Sequence, residues 1–326
     1  MTGPVDRSGE PRLSVVVITP GPFDAIRKAV EHILAQDVRE TLELVIVAPS
    51  RAGLGPLPGE LESLWGWQVV EVGAIDNLGP AEATGFRHAL APAVVYVEEH
   101  SYPAPGWARA LIEAHAKPWA AVGPAVTNAN PDRMVSWTTF FLDFGEWVAP
   151  GTRGTAGALA SHQTSYKRDL LLAYGAELDS LLETETALQH DLRRKGHELF
   201  FEPRAQTDHV NVSRFDEVAL LQFHNYREYA HNRATLGGWS PGRRLLYIGG
   251  APLIPLVRGW RVLKQVRRSG LMRRLLPGIL PSLAWGLVAA SFGELVGYSV
   301  GKGDSSQKRI TFELERLRHL AEPPPL

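Results

Sequence analysis

Short apolar runs alternate with stretches of helical periodicity in the N-terminal part of the chain. Two runs rich in β-branched residues, Leu13 to Thr19 and Leu42 to Ala48, are typical of buried strands. Between them, Phe23 to Gln36 places apolar side chains three and four residues apart, as one face of a helix requires. The pattern predicts a strand, a helix and a second strand.

The same alternation continues along the chain. Strand-like runs are Trp67–Gly73, Ala93–Glu99 and Ala121–Thr127, and the helical stretches between them are Pro80–Ala91 and Gly106–His115. Such alternation predicts an α/β fold, with a mixed, mostly parallel sheet flanked by helices. Ligands of these sheets bind beyond the carboxyl ends of the strands, so polar residues at those ends are candidates for a site.

Three ionisable residues follow one predicted strand directly. Glu98, Glu99 and His100 come at the end of the apolar run that begins at Ala93. One interpretation is a solvated exit from the strand. The other is a site for Mn²⁺ or Mg²⁺ carrying a phosphate group, because two carboxylates and an imidazole offer oxygen donors and one nitrogen.

Other phosphate-binding and hydrolytic motifs are interrupted or do not occur in the sequence. The glycine-rich run Gly53–Gly59 follows a strand, but Pro56 and Pro58 interrupt the helix that a dinucleotide-binding loop would start. A Walker-type GxxxxGK[ST] motif and a GxSxG nucleophile elbow do not occur. The sequence therefore gives no support to a dinucleotide, P-loop or serine hydrolase site.

A second group of acidic residues lies at the start of a predicted helix. The spacing of leucines predicts a helix from about Thr184 to Lys195, closed by Gly196. Glu183 and Glu185 then fall at its N-terminus. Acidic residues there are common because they complement the helix dipole, and one of them is also a candidate general base if it faces the loop after Val97.

The region from Leu13 to His209 resembles the family-2 glycosyltransferases, which are inverting enzymes of the Rossmann-like GT-A fold. Four segments carry the resemblance. They are SVVVITPGPFDAIRKAVEHILAQ (Ser14–Gln36), DNLGPAEATGFRHALAPAVVYVEEHSYPAPGW (Asp76–Trp107), SHQTSYKRDLL (Ser161–Leu171) and TETALQHDLRRKG (Thr184–Gly196). His209 matches a histidine that follows these motifs in the family.

The resemblance implies roles for individual residues. Glu98 and His100 stand where the family has its two metal-associated aspartates, and His209 would complete the metal site. Glu98 and Glu99 would also contact the nucleotide-sugar. Counting back from Gly196 puts Glu185 at the position of the catalytic base.

The chain departs from the family pattern in several places. Ala48 replaces the aspartate that contacts the nucleobase, so the base is not implied. Glu-Glu-His in place of Asp-x-Asp lengthens one side chain and introduces a nitrogen donor, which leaves metal dependence open. Glu185 keeps a carboxylate but extends its reach.

Further candidates line the two sides of the implied site. The candidates for the nucleoside pocket are Thr19, Pro20, Asn77 and Gly79. The candidates for the acceptor side are Trp137, His162 and Tyr166. The alternative for the nucleoside-pocket candidates is that they are loop residues without a binding role. The alternative for the acceptor-side candidates is that they pack in the core.

The implied activity is inverting transfer of a hexosyl group from a nucleotide-sugar to an acceptor hydroxyl, with a divalent cation as cofactor. The acceptor would be a glycan, lipid-linked or close to a membrane. Two alternatives stay open: a catalytically inactive scaffold that binds nucleotide-sugars, and a metal-independent transferase.

Composition narrows the setting of this activity. The 326 residues carry a formal net charge of −1, which argues against a nucleic-acid partner. The chain has no cysteine, which excludes disulfides and thiolate metal sites and suits the cytoplasm. Residues 1–12 contain no apolar segment of the kind a secretory signal needs, so a cytoplasmic location is expected.

The C-terminal part has a different composition. Pro241 to Arg274 contains nine Lys or Arg and no acidic residue, interleaved with apolar runs. This pattern favours helices lying in the plane of a membrane at its inner face. The alternatives are burial against the catalytic domain or a second subunit, and a true span, which Pro277 and Pro281 disfavour within the apolar run Leu275–Phe292.

The predicted organisation therefore has four parts. They are a flexible N-terminus (1–12), a GT-A domain (13–225), a basic and apolar helical membrane-associating module (226–310), and an amphipathic end with a disordered tail (311–326). The apolar character of the third part also makes a homo-oligomer, formed through these helices, plausible.

Overall fold

A computed structural model describes residues 9–322 of the chain. The described residues form two compact units. The sheet unit consists of residues 9–127 and Ala149–His209, and the helical unit consists of Asn128–Val148 and residues 210–322.

Parts of the predicted ends lie outside this range. The predicted flexible N-terminus includes residues 1–8 and the predicted disordered tail includes residues 323–326, none of which the structure describes. The predicted boundary at residue 225 falls inside a long helix, Phe215–Leu236, of the helical unit.

The sheet unit is built on a nine-stranded mixed sheet. Its strands are β1 (Leu13–Ile18), β2 (Leu42–Ala48), β3 (Gly66–Glu71), β4 (Ala93–Tyr96), β5 (Ser101–Pro103), β6 (Ala121–Asn128), β7 (Gly154–Ala156), β8 (Ser165–Lys167) and β9 (Leu199–His209). Their order across the sheet is β3-β2-β1-β4-β8-β6-β9-β5, and β7 pairs with β9.

The helices of the described chain follow in sequence order. They are α1 (Arg27–Leu34), α2 (Arg51–Leu54), α3 (Leu78–His88), α4 (Trp107–His115), α5 (Met134–Phe144), α6 (Arg168–Leu172), α7 (Glu177–Leu182), α8 (Glu185–Arg194), α9 (Phe215–Leu236), α10 (Pro241–Gly250), α11 (Ile254–Arg268), α12 (Met272–Leu275), α13 (Leu280–Val300) and α14 (Ser305–Leu314). Short 3₁₀ turns lie at Phe23–Ala25, Arg39–Thr41, Gly59–Ser63, Ala251–Leu253 and Arg316–His319.

Parallel and antiparallel pairing divide the sheet. β1 pairs in parallel with β2 and β4, and β2 pairs in parallel with β3. The pairs β4–β8, β6–β8, β5–β9 and β7–β9 are antiparallel. The predicted α/β fold, a mixed sheet flanked by helices with a helical C-terminal region, is confirmed.

The parallel strands are those that the apolar runs predict. Every residue of β1 and β2 is buried, as expected for strands covered by helices on both faces. The pattern does not predict β5, β7, β8 or β9, because β5, β7 and β8 have only three residues each and β9 mixes polar with apolar residues.

Helix α3 packs unusually close to its neighbours. A Cβ at Gly85 would lie 2.5 Å from Cγ1 of Val16 in β1, and a Cβ at Gly79 would lie 2.4 Å from the carbonyl oxygen of Asp179 in α7. These glycines therefore allow α3 to approach both the sheet and α7. The consequence is that even Glu82, a charged type of residue in the middle of α3, is buried.

In the helical unit, α13 packs against α9 through a stripe of small residues. A Cβ at Gly293 or Gly297 would come within 2.3 Å of a carbonyl oxygen of α9.

Within the described residues, α13 is the one helix long and apolar enough to cross a bilayer, judged by length and composition only, and half of its most apolar stretch is buried in the protein. A core helix of a soluble protein would meet the same criteria, so this is weak evidence for a span.

Candidate functional site

The ionisable residues after β4 are buried. Glu98, Glu99 and His100 are 2%, 7% and 1% exposed, so they do not form a solvated exit from the strand. The chain turns directly into β5, which pairs antiparallel with β9 and sets Ser101 opposite His209. This pairing brings the last residue of β9 beside the loop that carries Glu98 and His100.

Three side chains converge at this point. The Nε2 atoms of His100 and His209 are 3.1 Å apart. Oε2 of Glu98 lies 3.3 Å from Nε2 of His209 and 3.7 Å from Nε2 of His100. One oxygen and two nitrogens thus lie within 4.8 Å of one another, as the ligands of a single cation would.

Neighbouring residues hold these groups in place. Oε2 of Glu98 accepts hydrogen bonds from the Ser101 hydroxyl at 3.0 Å and from the Gln163 amide at 2.8 Å. The Nδ1 atom of His100 lies 3.1 Å from Oε2 of Glu99. A carboxylate beside the outer nitrogen of a histidine is the usual way in which a metal-ligating imidazole is oriented.

Glu185 begins α8 and is also buried, at 2% exposure. Its Oε2 accepts a hydrogen bond from the backbone N–H of His162 at 2.5 Å, and its Oε1 has no hydrogen-bond partner among the described residues. Burial raises the pKa of Glu185 to about 8, the His162 N–H opposes that rise, and the charge of Glu98 adds to it. A carboxyl group with this pKa can exchange a proton near neutral pH.

Glu82 of α3 is a member of the site that sequence reasoning missed. It is fully buried, and neither of its carboxylate oxygens has a hydrogen-bond partner in the part of the chain described. Its carboxylate, the His162 ring and the Glu185 carboxylate offer atoms within 4.8 Å of one another. Burial, then the charges of Glu185 and Glu98, raises the pKa of Glu82 well above its ordinary value.

One sequence signal could have found Glu82. It is the only acidic residue of α3, and it lies between alanines in a segment whose glycines indicate close packing. Gln163 and Ser101, which hold Glu98, were missed too. Short polar residues in loops give no comparable signal.

The backbone around His162 is unusual. Its φ is 59°, the only positive φ of a non-glycine residue in the described chain. The conformation places its N–H on Glu185 and its ring edge-on to Tyr96, with 5.8 Å between the ring centroids. His162, proposed for the acceptor side, therefore lies beside the candidate base.

The other two acceptor-side candidates lie in different surroundings. Tyr166 is fully buried in β8, and its hydroxyl accepts a hydrogen bond from Gln189 at 3.2 Å. Trp137 belongs to α5 of the helical unit, where its indole N–H donates to the Pro131 carbonyl at 2.8 Å. It is 7% exposed and packs among aromatic rings of that unit.

The candidates for the nucleoside pocket have local contacts of their own. The Asn77 side chain caps α3 by accepting from the Gly79 N–H at 3.1 Å, and its amide donates to Glu183. Thr19 is buried at the end of β1, and Pro20 beside it is exposed. These contacts account for Asn77 and Gly79 structurally, while Thr19 and Pro20 lie at the carboxyl edge of the parallel strands.

Comparison with known proteins supports the fold. No family model matches the chain, and no curated protein matches it. Among solved structures, it is similar to the mannosyltransferase PcManGT from Pyrobaculum calidifontis in complex with GDP-Man and Mn²⁺, with 18% identity and a TM-score of 0.53 over 91% of this chain and 88% of that chain.

S. aureus TarS 1–349 is a more distant likeness. It is 13% identical over 87% of this chain and 90% of that chain, with a TM-score of 0.42, and its complex with UDP is 14% identical over the same shares, with a TM-score of 0.43. At these identities the likeness to PcManGT concerns the fold alone. The chain therefore has a fold similar to that of PcManGT, and its sheet unit is Rossmann-like.

Proposed function

We propose that this protein is an inverting glycosyltransferase of family 2, which transfers a hexosyl group from a nucleotide-sugar to an acceptor hydroxyl with the help of a divalent cation. The observation that carries the proposal is the buried convergence of Glu98, His100 and His209 on one point. By the resemblance of the sequence to that family, Glu98 and His100 would stand at the positions of its metal-associated aspartates, and His209 at that of its histidine.

The donor set fits a divalent cation. Two imidazole nitrogens and one carboxylate oxygen face one another at 3.1 to 3.7 Å, and Glu99 lies on the outer nitrogen of His100. Imidazole ligands suit transition metals better than Mg²⁺, so of the two cations expected from the sequence these residues favour Mn²⁺ over Mg²⁺. When bound, the cation would neutralise negative charge on the diphosphate of the donor.

Glu185 has the features of the general base. Oε2 is fixed by the His162 N–H, while Oε1 has no partner in the described residues and is free to accept a proton. Its pKa of about 8 makes the ionised form a stronger base than an exposed glutamate. The alternative role of a first-turn acid that only complements the helix dipole would not require burial.

The reaction can be written with these groups. Glu185 removes the proton of the acceptor hydroxyl as the acceptor oxygen bonds to the anomeric carbon. The bond from that carbon to the diphosphate oxygen breaks on the opposite side, and the nucleoside diphosphate leaves with the electron pair. Attack opposite to the leaving group inverts the configuration.

The nucleoside contacts are part of the same proposal. Thr19 and Pro20 are proposed to meet the nucleoside, because they end a parallel strand at the edge where ligands of such sheets bind. Asn77 and Gly79 would act from the start of α3, and Glu98 and Glu99 would face the sugar diphosphate. The presence of GDP-Man in the PcManGT structure makes GDP-mannose a first donor to test.

The test is a titration of Mn²⁺ and a panel of nucleotide-sugars by calorimetry, with donor hydrolysis measured in parallel. We expect donor binding to require Mn²⁺ and hydrolysis to follow binding. His209→Ala should abolish the Mn²⁺-dependent binding of the donor. His190→Ala serves as the matched control, because His190 is an exposed histidine on α8.

Three outcomes separate the alternatives. Binding without hydrolysis or transfer to any acceptor would favour the inactive scaffold. Activity that chelators do not change would favour the metal-independent transferase. Loss of Mn²⁺ binding in His190→Ala as well as His209→Ala would show that the effect is not specific to the site.

A further inference from the structure

The helical unit exposes an uncommon set of large apolar side chains. They lie on α10, the 3₁₀ turn after it and α11, and each is at least half exposed. They are Leu245, Leu246, Leu253, Leu256, Val257 and Trp260. We call these residues the α10–α11 surface. Single exposed apolar residues are normal in proteins, but six within sixteen positions of one segment indicate a binding surface.

The two sides of α11 differ. Its inner side is buried through Val262 and Val266, and Gly259 lies against Leu287 of α13. Its outer side carries Leu256 and Trp260, which are 72% and 71% exposed. The helix is therefore anchored by one side, and its apolar outer side is not needed to hold it in place.

The outer side of α11 also carries positively charged side chains, which follow the apolar ones along the helix. Arg261, Lys264, Arg267 and Arg268 are exposed, and none of them forms an ion pair with a carboxylate in residues 9–322. Arg258, on the inner side, is instead paired with Glu294 at 2.5 Å. The unpaired charges thus follow the apolar residues along the same side of the helix.

Apolar side chains followed by unpaired cations match the chemistry of an anionic lipid surface. Leucine and tryptophan side chains enter the headgroup boundary, and Lys and Arg side chains remain at the phosphates. A contact between two copies fits less well, because a two-fold contact through this surface would bury the cations of both copies with no carboxylate among them.

A bilayer-spanning arrangement also fits less well. The helix α13 is the only described candidate, and it uses Gly293 and Gly297 to pack along α9. Its outer residues Trp285, Val288 and Phe292 are exposed, which suits contact with an interface from one side. A helix that carries protein along one side can rest on a membrane without crossing it.

We propose that α10 and α11 lie parallel to an anionic membrane and that the α10–α11 surface binds it, at the inner face of the cell membrane. This docking does not depend on sugar transfer. If the proposed function holds, docking would bring the enzyme to a membrane that carries a lipid-linked or membrane-proximal acceptor.

The test is flotation of the full chain with vesicles of phosphatidylcholine alone or with phosphatidylglycerol added, without donor or metal. We expect binding to the anionic vesicles and its reduction by salt. The double variant Lys264→Gln/Arg268→Gln should lower anionic binding about fivefold for each cation removed. Leu256→Ser/Trp260→Ser should lower it about tenfold or more.

Matched controls come from the sheet unit. Leu90→Ser changes an exposed leucine, and Lys117→Gln changes an exposed lysine, so both should bind as the wild type does. Equal binding to neutral and anionic vesicles, or no binding, would overturn the proposal. So would sedimentation equilibrium in lipid-free buffer showing a dimer that Leu256→Ser/Trp260→Ser converts to monomers. None of these results bears on donor binding, which is measured separately.

Discussion

The two units treat buried carboxylates differently. In the helical unit, Glu228 is buried and accepts a hydrogen bond from Arg309 at 2.7 Å. In the sheet unit, Glu82 and Glu185 are equally buried, but neither has a Lys or Arg partner among the described residues. A buried carboxylate without a counter-ion is costly, so the second arrangement needs an explanation other than stability.

The pKa values of these buried carboxyl groups shift in opposite directions in the two units. Burial alone would raise the pKa of Glu228, but Arg309 and the Ser306 hydroxyl hold it below its usual value. Burial, and after it the negative charge of neighbouring glutamates, raises the pKa of Glu82 and of Glu185 instead. The helical unit thus uses an ionised carboxylate to join helices, while burial in the sheet unit favours the protonated form of two carboxyl groups. Groups with such shifts are typical of functional sites.

The largest expected effect comes from Glu185→Gln. Because the amide cannot accept the acceptor's proton, turnover should fall about 10²- to 10⁴-fold while donor affinity stays nearly unchanged. Steady-state transfer kinetics and calorimetric donor binding measure the two quantities. Glu177→Gln is the matched control, since Glu177 is an exposed glutamate in the first turn of α7. Unchanged turnover in Glu185→Gln would remove it from the role of base.

Breaking the ion pair of the helical unit should cost stability. Arg309→Met leaves Glu228 buried without its cation, which should lower the free energy of unfolding by about 3 to 5 kcal/mol. Urea denaturation measures this change, and Arg318→Met, at a side chain 74% exposed, is the control with little expected effect. If both variants lost the same stability, Glu228 would not differ from a surface carboxylate.

The smallest effect concerns the unpaired carboxyl group of the sheet unit. The pKa of Glu82 is raised on folding, so its protonated form favours the native state at low pH. That contribution is lost as pH rises from about its ordinary value of 4.5 through the raised value. Glu82→Gln cannot ionise, so its melting temperature relative to the wild type should increase with pH.

Thermal melts of the two proteins from pH 5 to about pH 9 without metal measure this difference. Glu71→Gln, an exposed glutamate at the end of β3, is the control and should show no such trend. A melting difference for Glu82→Gln that does not change with pH would mean that Glu82 is ionised throughout and has a counter-charge.

Local pattern was sufficient for the parallel part of the fold. β1, β2, β3 and β4 coincide with the apolar runs, and α8 coincides with the predicted helix almost to the residue. The apolar run at β6 was also recognised, although β6 pairs antiparallel with β8. The predicted loop after Val97 does follow a parallel strand. Hydrophobic periodicity predicted these elements because residues a few positions apart are apolar wherever a strand is buried on both faces or a helix on one side.

Local pattern was not sufficient for the antiparallel part. β8 and β5 have three residues each, too few for alternation to be recognised, and β9 contains Glu202, Arg204 and Asp208 between its apolar residues. Glu82 was missed for a related reason. Its burial depends on Gly79 and Gly85 bringing α3 against other elements, which helical spacing alone does not reveal.

The sequence by itself determined the α/β class, the strand that precedes Glu98 and the helix that begins at Glu185. Only the tertiary structure decided that His209 meets His100, 109 positions earlier, and that Glu82 shares a cluster with Glu185. The physical reason is range. Hydrophobic periodicity reports on residues a few positions apart, whereas the β5–β9 register and the close approach of α3 are set by packing between distant segments.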